Sequence, residues 1–183
     1  MSALILGLLM FLGMHSARIL AEGWRSQVIA QRGPGAWKGL YTVVSLVGFG
    51  LIVWGYGQAR QAPQVLWASP VWTRHLASLL VLVAFVLLAA AYVPRNGLKA
   101  RLHHPMVLSV KLWALAHLLA NNTVADVLLF GSFLLWAVLD FRSARQRDRA
   151  AGTVYPAGTV AGTLGAVVVG GVAFVAMAFW GHA

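Results

Sequence analysis

The chain has 183 residues, of which 60% are apolar and 10% charged, with a formal net charge of +10 and no cysteine. A soluble protein of this size could not cover so much apolar surface with so few charges, whereas a bilayer is a good solvent for it. The missing cysteine excludes disulfides, iron–sulfur clusters, zinc–thiolate sites and thiolate-ligated or covalently attached c-type haem.

The fold class expected is all-α, a polytopic transmembrane bundle of about six helices forming one domain over residues 1–183. A bilayer core asks for about 20 apolar helical residues, fewer where the membrane thins. Six segments answer approximately. The first, Ala3 to Ala17, lacks a charged leader and a small-residue cleavage site, so it reads as a retained span. Leu40 to Tyr56 is the second, preceded by Gly33-Pro34-Gly35, which reads as a turn. A polar loop bracketed by Pro63 and Pro70 leads to the third, His75 to Tyr92. Met106 to Ala120 and Thr123 to Phe141 are joined through Asn121-Asn122 and read as a hairpin. Val160 to Trp180 is the sixth.

Charge orients these spans. The loops after the first, third and fifth spans, with Lys111 just beyond the second of them, hold twelve of the fourteen Lys and Arg residues. The other side holds only Arg60 and Arg74. Basic loops face the cytoplasm, so both termini are expected outside a bacterial-type inner membrane. The partner these cations imply is the lipid bilayer, not nucleic acid. Trp54, Trp67, Trp72, Trp113, Trp136 and Trp180 lie mostly near span ends, as an interfacial belt would place them. Gly162, Ala166 and Gly170 form one small-residue stripe, and Gly48 with Gly55 another, where a neighbouring backbone can approach closely.

Histidine is the informative residue type. His15 lies in the first span and His117 in the fourth, while His103 and His104 precede Pro105. His75 and His182 sit at span edges as polar interfacial residues. A polar group inside a span is costly unless it meets a partner, so His15 and His117 are either packing residues or ligands. At 1.5 Å per residue each lies roughly 18 Å from one end of its span, in the middle of the membrane. Neutral imidazole is the commonest metal ligand, and two can grip a haem iron from both sides. Trp113, His117 and Asn121 share one face at i, i+4, i+8. Arg18, Lys38, Arg101 and Lys111 are cations suited to haem propionates, or simply a product of positive-inside bias and snorkelling. Asp126 and Asp140 are acids in or beside a late span. Asp140 is expected to pair with Lys111 or Arg142, and Glu22 with Arg18 four residues earlier. No serine elbow, paired carboxylates or phosphate loop suggests hydrolysis.

Three ordered motifs carry a family resemblance. They are His15-Ser16-x-Arg18; then Arg32-Gly33 through Lys38-Gly39-x-Tyr41-x-x-x-Ser45; then His104-Pro105-Met106 with Leu112-Trp113-Ala114-x-x-His117-Leu118-x-Ala120-Asn121 and Leu129-Phe130-Gly131-Ser132-Phe133. Over about Met1 to Arg142 the chain resembles the NnrU family of bacterial membrane proteins, and through it the plant zeta-carotene isomerases. Asn121-Asn122 stands where the family usually has Asn-Gly. The resemblance implies b-type haem with His15 and His117 as metal ligands and His104 as a further functional position. Arg18, Lys38 and Lys111 complete the implied cofactor-binding set. It also implies a redox or cis–trans isomerase role, with a hydrophobic substrate such as a carotenoid, or a role linked to nitrite and nitric oxide reduction. Two alternatives stay open: an accessory or assembly factor for nitrogen-oxide reductases, and a membrane methyltransferase, which His103-His104-Pro105 faintly resembles.

Overall fold

The computed structural model describes residues 1–181, and His182, expected at a span edge, lies outside the described residues. Eight α-helices follow one another: α1 (Ser2–His15), α2 (Ala17–Leu20), α3 (Glu22–Ala59), α4 (Val71–Tyr92), α5 (Gly97–Leu102), α6 (Pro105–Ala120), α7 (Val124–Ala151) and α8 (Val160–Ala176). A π-helical turn, Met177–Gly181, continues α8, and the described residues contain no β-strand beyond two isolated bridges. All six expected segments are helical. Four helices, α3, α4, α7 and Val160–Trp180, are long and apolar enough to cross a membrane, whereas α1 and α6 are shorter apolar helices.

The chain divides into two compact units, one of residues 1–68 and 122–136, the other of residues 69–121 and 137 onward. In the first, α1 packs along α3 through glycine. A Cβ on Gly7 would stand 2.6 Å from the Ile52 nitrogen, and one on Gly48 would stand 2.8 Å from the Phe11 nitrogen. Gly55 meets the Leu4 backbone in the same way, so the Gly48/Gly55 stripe is a line of close backbone approach. In the second unit, α4 packs against both α6 and α8. Gly162 faces the Arg95 carbonyl and Gly170 faces Val86, with Ala166 fully buried between them, as the small-residue pattern predicts.

Two stretches differ from the sequence reading. Residues 22–39 are helix, not loop. Gly33 alone breaks it, at φ 80 and ψ 162, a conformation open to glycine, with Pro34 removing a backbone donor beside it. On a straight helix Trp24 and Trp37 would be about 20 Å apart. Their rings meet edge-on at 5.4 Å, so the chain folds back at Gly33, and Val28 and Ile29 pack on Met14, Ala17 and Trp37. The second difference is α7, which runs ten residues past Phe141. Its 28 residues measure about 42 Å, longer than the roughly 30 Å of a bilayer core, and the Arg142–Arg149 run is helical in the part that exceeds it.

Polar connectors are anchored. Asn121 and Asn122 make no tight turn: Asn121 is extended, Leu66 N–H donates to the Asn122 carbonyl, and Val124 N–H donates to that of Gln64. Thr123 and Asp126 then cap α7 reciprocally, each side-chain oxygen accepting from the other's backbone N–H. The buried Asp126 carboxylate also accepts from Tyr56 Oη at 2.6 Å. Asn96, 1% exposed, donates to the Ala90 and Val93 carbonyls and caps α5 through Lys99 N–H.

Candidate functional site

His15 is the last residue of α1, and its surroundings in the first unit are aromatic. The Phe11 ring stacks on it at 4.1 Å, Tyr41 lies at 5.1 Å and Trp136 presents an edge at 5.9 Å. His15 Nδ1 lies 2.7 Å from the Phe11 carbonyl one turn earlier. A carbonyl only accepts, so Nδ1 carries a proton, and in a neutral imidazole the lone pair would lie on Nε2. Two polar atoms of this unit are buried without a hydrogen-bond partner, the Trp136 indole Nε1 and Ser45 Oγ. Ser45 stands one turn from Tyr41. The indole is the more telling of the two, because it is a donor only and cannot turn back to its own helix.

The cations expected near His15 are placed as follows. Arg18 is exposed on α2, and Lys38 is exposed just past the Gly33 break. Glu22 does not pair with Arg18. Ala21 leaves helical geometry at φ −139, which breaks the i, i+4 register, and Glu22 pairs with Arg25 at 2.8 Å. Arg25 also lies over the Trp37 ring at 5.9 Å.

His117, in the second unit, repeats the arrangement of His15. Its Nδ1 lies 2.8 Å from the Trp113 carbonyl, the two rings are 5.1 Å apart, and Asn121 Nδ2 donates to the His117 carbonyl at 2.9 Å. The Trp113–His117–Asn121 face read from spacing is therefore a hydrogen-bonded column. Lys111 Nζ sits 4.8 Å from the Phe141 ring centre, a cation–π contact. Asp140 lies 3.9 Å from Arg147, a partner the spacing argument did not name.

His104 belongs to a cluster that sequence reasoning missed. Its Nε2 is 2.7 Å from Asp148 Oδ2, and Tyr155 Oη donates to the same oxygen at 2.9 Å. His103, at a positive φ of 69, stacks on Tyr155 at 4.2 Å and takes a hydrogen bond from Arg145 at Nδ1. Partial burial tends to raise the Asp148 carboxyl, but the Tyr155 and His104 hydrogen bonds outweigh it and hold it below the usual carboxylate range. Burial and the Asp148 charge push the Tyr155 phenol up. His75 is exposed near the start of α4 and joins no cluster.

No group of three or more His, Cys, Asp or Glu side chains that could hold a metal occurs among the described residues. Haem asks for less, one or two axial imidazoles in an apolar setting. His15, half-buried among aromatic rings, and His117, half-buried beside Trp113, supply imidazoles of that kind. Ligating histidines usually donate their other ring N–H to a carbonyl or carboxylate, which fixes the ring and its tautomer. His15 and His117 each do so.

A family model described as NnrU protein matches residues 3–183, essentially the whole chain. No curated protein and no solved structure matches it.

Proposed function

The chain belongs to the NnrU family, and on that premise we propose that it is a multi-pass protein of the bacterial inner membrane that binds b-type haem, with His15 and His117 as the candidate iron ligands. The observation that supports this reading is the shared state of the two imidazoles. Each is fixed by its own helix with Nδ1–H on the carbonyl one turn back, an orientation in which Nε2 would be the coordinating nitrogen. Aromatic rings line His15 and Trp113 lies beside His117, and the unpartnered Trp136 indole N–H beside His15 would find an acceptor on a bound group.

Haem, when bound, would supply one-electron redox chemistry. The chain's own residues orient the two imidazoles and offer cations to the propionates. Arg18 and Lys38 are candidates for that last role; Lys111 would have to leave the Phe141 ring. Such a centre suits a redox or cis–trans isomerase-type role on a hydrophobic substrate, a carotenoid being one, or a role in nitrite and nitric oxide reduction. His15→Ala and His117→Ala variants are expected to insert and fold but to lose haem. Retention of haem by both would overturn the ligand assignment. A folded wild-type protein that never takes up haem would favour the accessory-factor reading.

A further inference from the structure

The His104 cluster has the composition of an acid–base site. Asp148 Oδ2 receives Tyr155 Oη–H at 2.9 Å and lies 2.7 Å from His104 Nε2. An ionised carboxylate oxygen only accepts, so His104 donates through Nε2 and the basic nitrogen of its neutral ring is Nδ1. None of the described residues is hydrogen-bonded to that nitrogen, and the His104 side chain keeps 20% of its exposure. The neighbouring His103 carries its lone pair on the same ring position, but there the Arg145 guanidinium donates to Nδ1 and occupies it. The two adjacent histidines thus differ in whether Nδ1 is taken, and His103 sits on a backbone at φ 69 that non-glycine residues rarely adopt. Strain of this kind persists where the surroundings enforce it.

The walls are as informative as the dyad. Phe141 and Tyr155 stand edge-on to the His104 ring, at 6.1 and 6.2 Å. The site lies at the head of α6, where α5 and the Arg-rich extension of α7 leave the apolar segments, hence at the bilayer boundary. A partner reaching it from the lipid carries an apolar body and an oxygen that gives or takes a proton.

We propose that His104, Asp148 and Tyr155 form a proton-exchange site for a lipid-soluble compound with a hydroxyl or carbonyl oxygen, of the quinol/quinone class. Neutral His104 accepts the hydroxyl proton at Nδ1, and the resulting imidazolium is held by Asp148. In the other direction imidazolium Nδ1–H donates to a carbonyl oxygen. Asp148 is the positioning residue. Tyr155 holds the carboxylate oxygen toward the ring, and Arg145, His103 and Tyr155 are the other titratable or charged groups around it. This site is distinct from the haem ligands and does not require haem.

The test titrates decylubiquinone into the purified protein in lipid nanodiscs. It follows the quinone carbonyl stretch by infrared difference spectroscopy and the His104 ring nitrogens by 15N NMR. The expected result is a saturable lowering of the carbonyl frequency together with a shift of the Nδ1 resonance. His104→Gln keeps an N–H for Asp148 but has no basic nitrogen, and should abolish both signals in a folded protein. Asp148→Asn should weaken binding about tenfold, the usual difference between a charge-assisted and a neutral hydrogen bond, and mix the His104 tautomers. His75→Ala should change nothing. No saturable signal in wild type, or an equal signal in His104→Gln, would overturn the proposal.

Discussion

Replacing Gly48 by alanine tests whether the α1–α3 contact positions His15. The added Cβ would lie 2.8 Å from the Phe11 nitrogen and 3.1 Å from the Phe11 Cβ, about 0.6 Å inside the 3.4 Å where ordinary contact begins. The nearest obstacle is backbone, so it cannot rotate away. The helices must separate by roughly that distance along a line that also includes Gly7 and Gly55. Overpacking of this kind costs about 1–3 kcal/mol. Phe11 also stacks on His15 and accepts its Nδ1–H, so its displacement disturbs the imidazole directly. Gly50→Ala is the internal control, since a Cβ there meets nothing within 4 Å. It should be neutral or stabilising by up to about 1 kcal/mol through helix propensity. The assay is reversible unfolding in mixed micelles for both variants, with haem uptake measured in parallel. Equal stabilities, or a Gly48→Ala protein that takes up haem as wild type does, would refute the reasoning.

Three further outcomes are expected. Gly33→Ala places a side chain at φ 80 and ψ 162, a region essentially confined to glycine, and should cost about 1–3 kcal/mol; tryptophan fluorescence should report loss of the Trp24–Trp37 contact. Because Asp148 is held below the usual carboxylate range, its contribution to stability is present above that range and is lost as pH falls through its lowered value. The difference in melting temperature between wild type and Asp148→Asn should therefore be full at pH 7 and shrink toward pH 3. Trp136→Phe removes an indole N–H that has no hydrogen-bond partner, so stability should stay within about 1 kcal/mol, while haem affinity falls several-fold in a haem titration.

The apolar segments were legible because a run of lipid-facing side chains is a one-dimensional signal. The close contacts of Gly48, Gly55, Gly162 and Gly170 were legible for a similar reason, since small residues at fixed spacing have few other uses in a span. Residues 22–39 were not, because their apolar positions are sparse and interrupted by charge. Gly33-Pro34 correctly marked a break but not the helix on either side of it. The Arg18–Glu22 pairing failed because Ala21 leaves helical geometry between them. The shared face of Trp113, His117 and Asn121 followed from helical periodicity, and its hydrogen bonds to the backbone did not. The His104 cluster could not follow, since Asp148 is 44 positions away within an arginine run and Tyr155 lies on a connector. One signal was present. Asp148 is one of only four acids in the chain, and an isolated carboxylate among arginines at the end of a span invites a search for its partner.

The haem assignment is tested most directly by the absorption spectrum of the detergent-purified protein, oxidised and dithionite-reduced, with a pyridine haemochrome assay for stoichiometry. The expected result is a sharp Soret band and reduced b-type bands, at about one haem per chain, with the low-spin signature of two imidazole ligands. A folded protein with no Soret band, even after haem is supplied, would contradict it and leave His15 and His117 as packing residues.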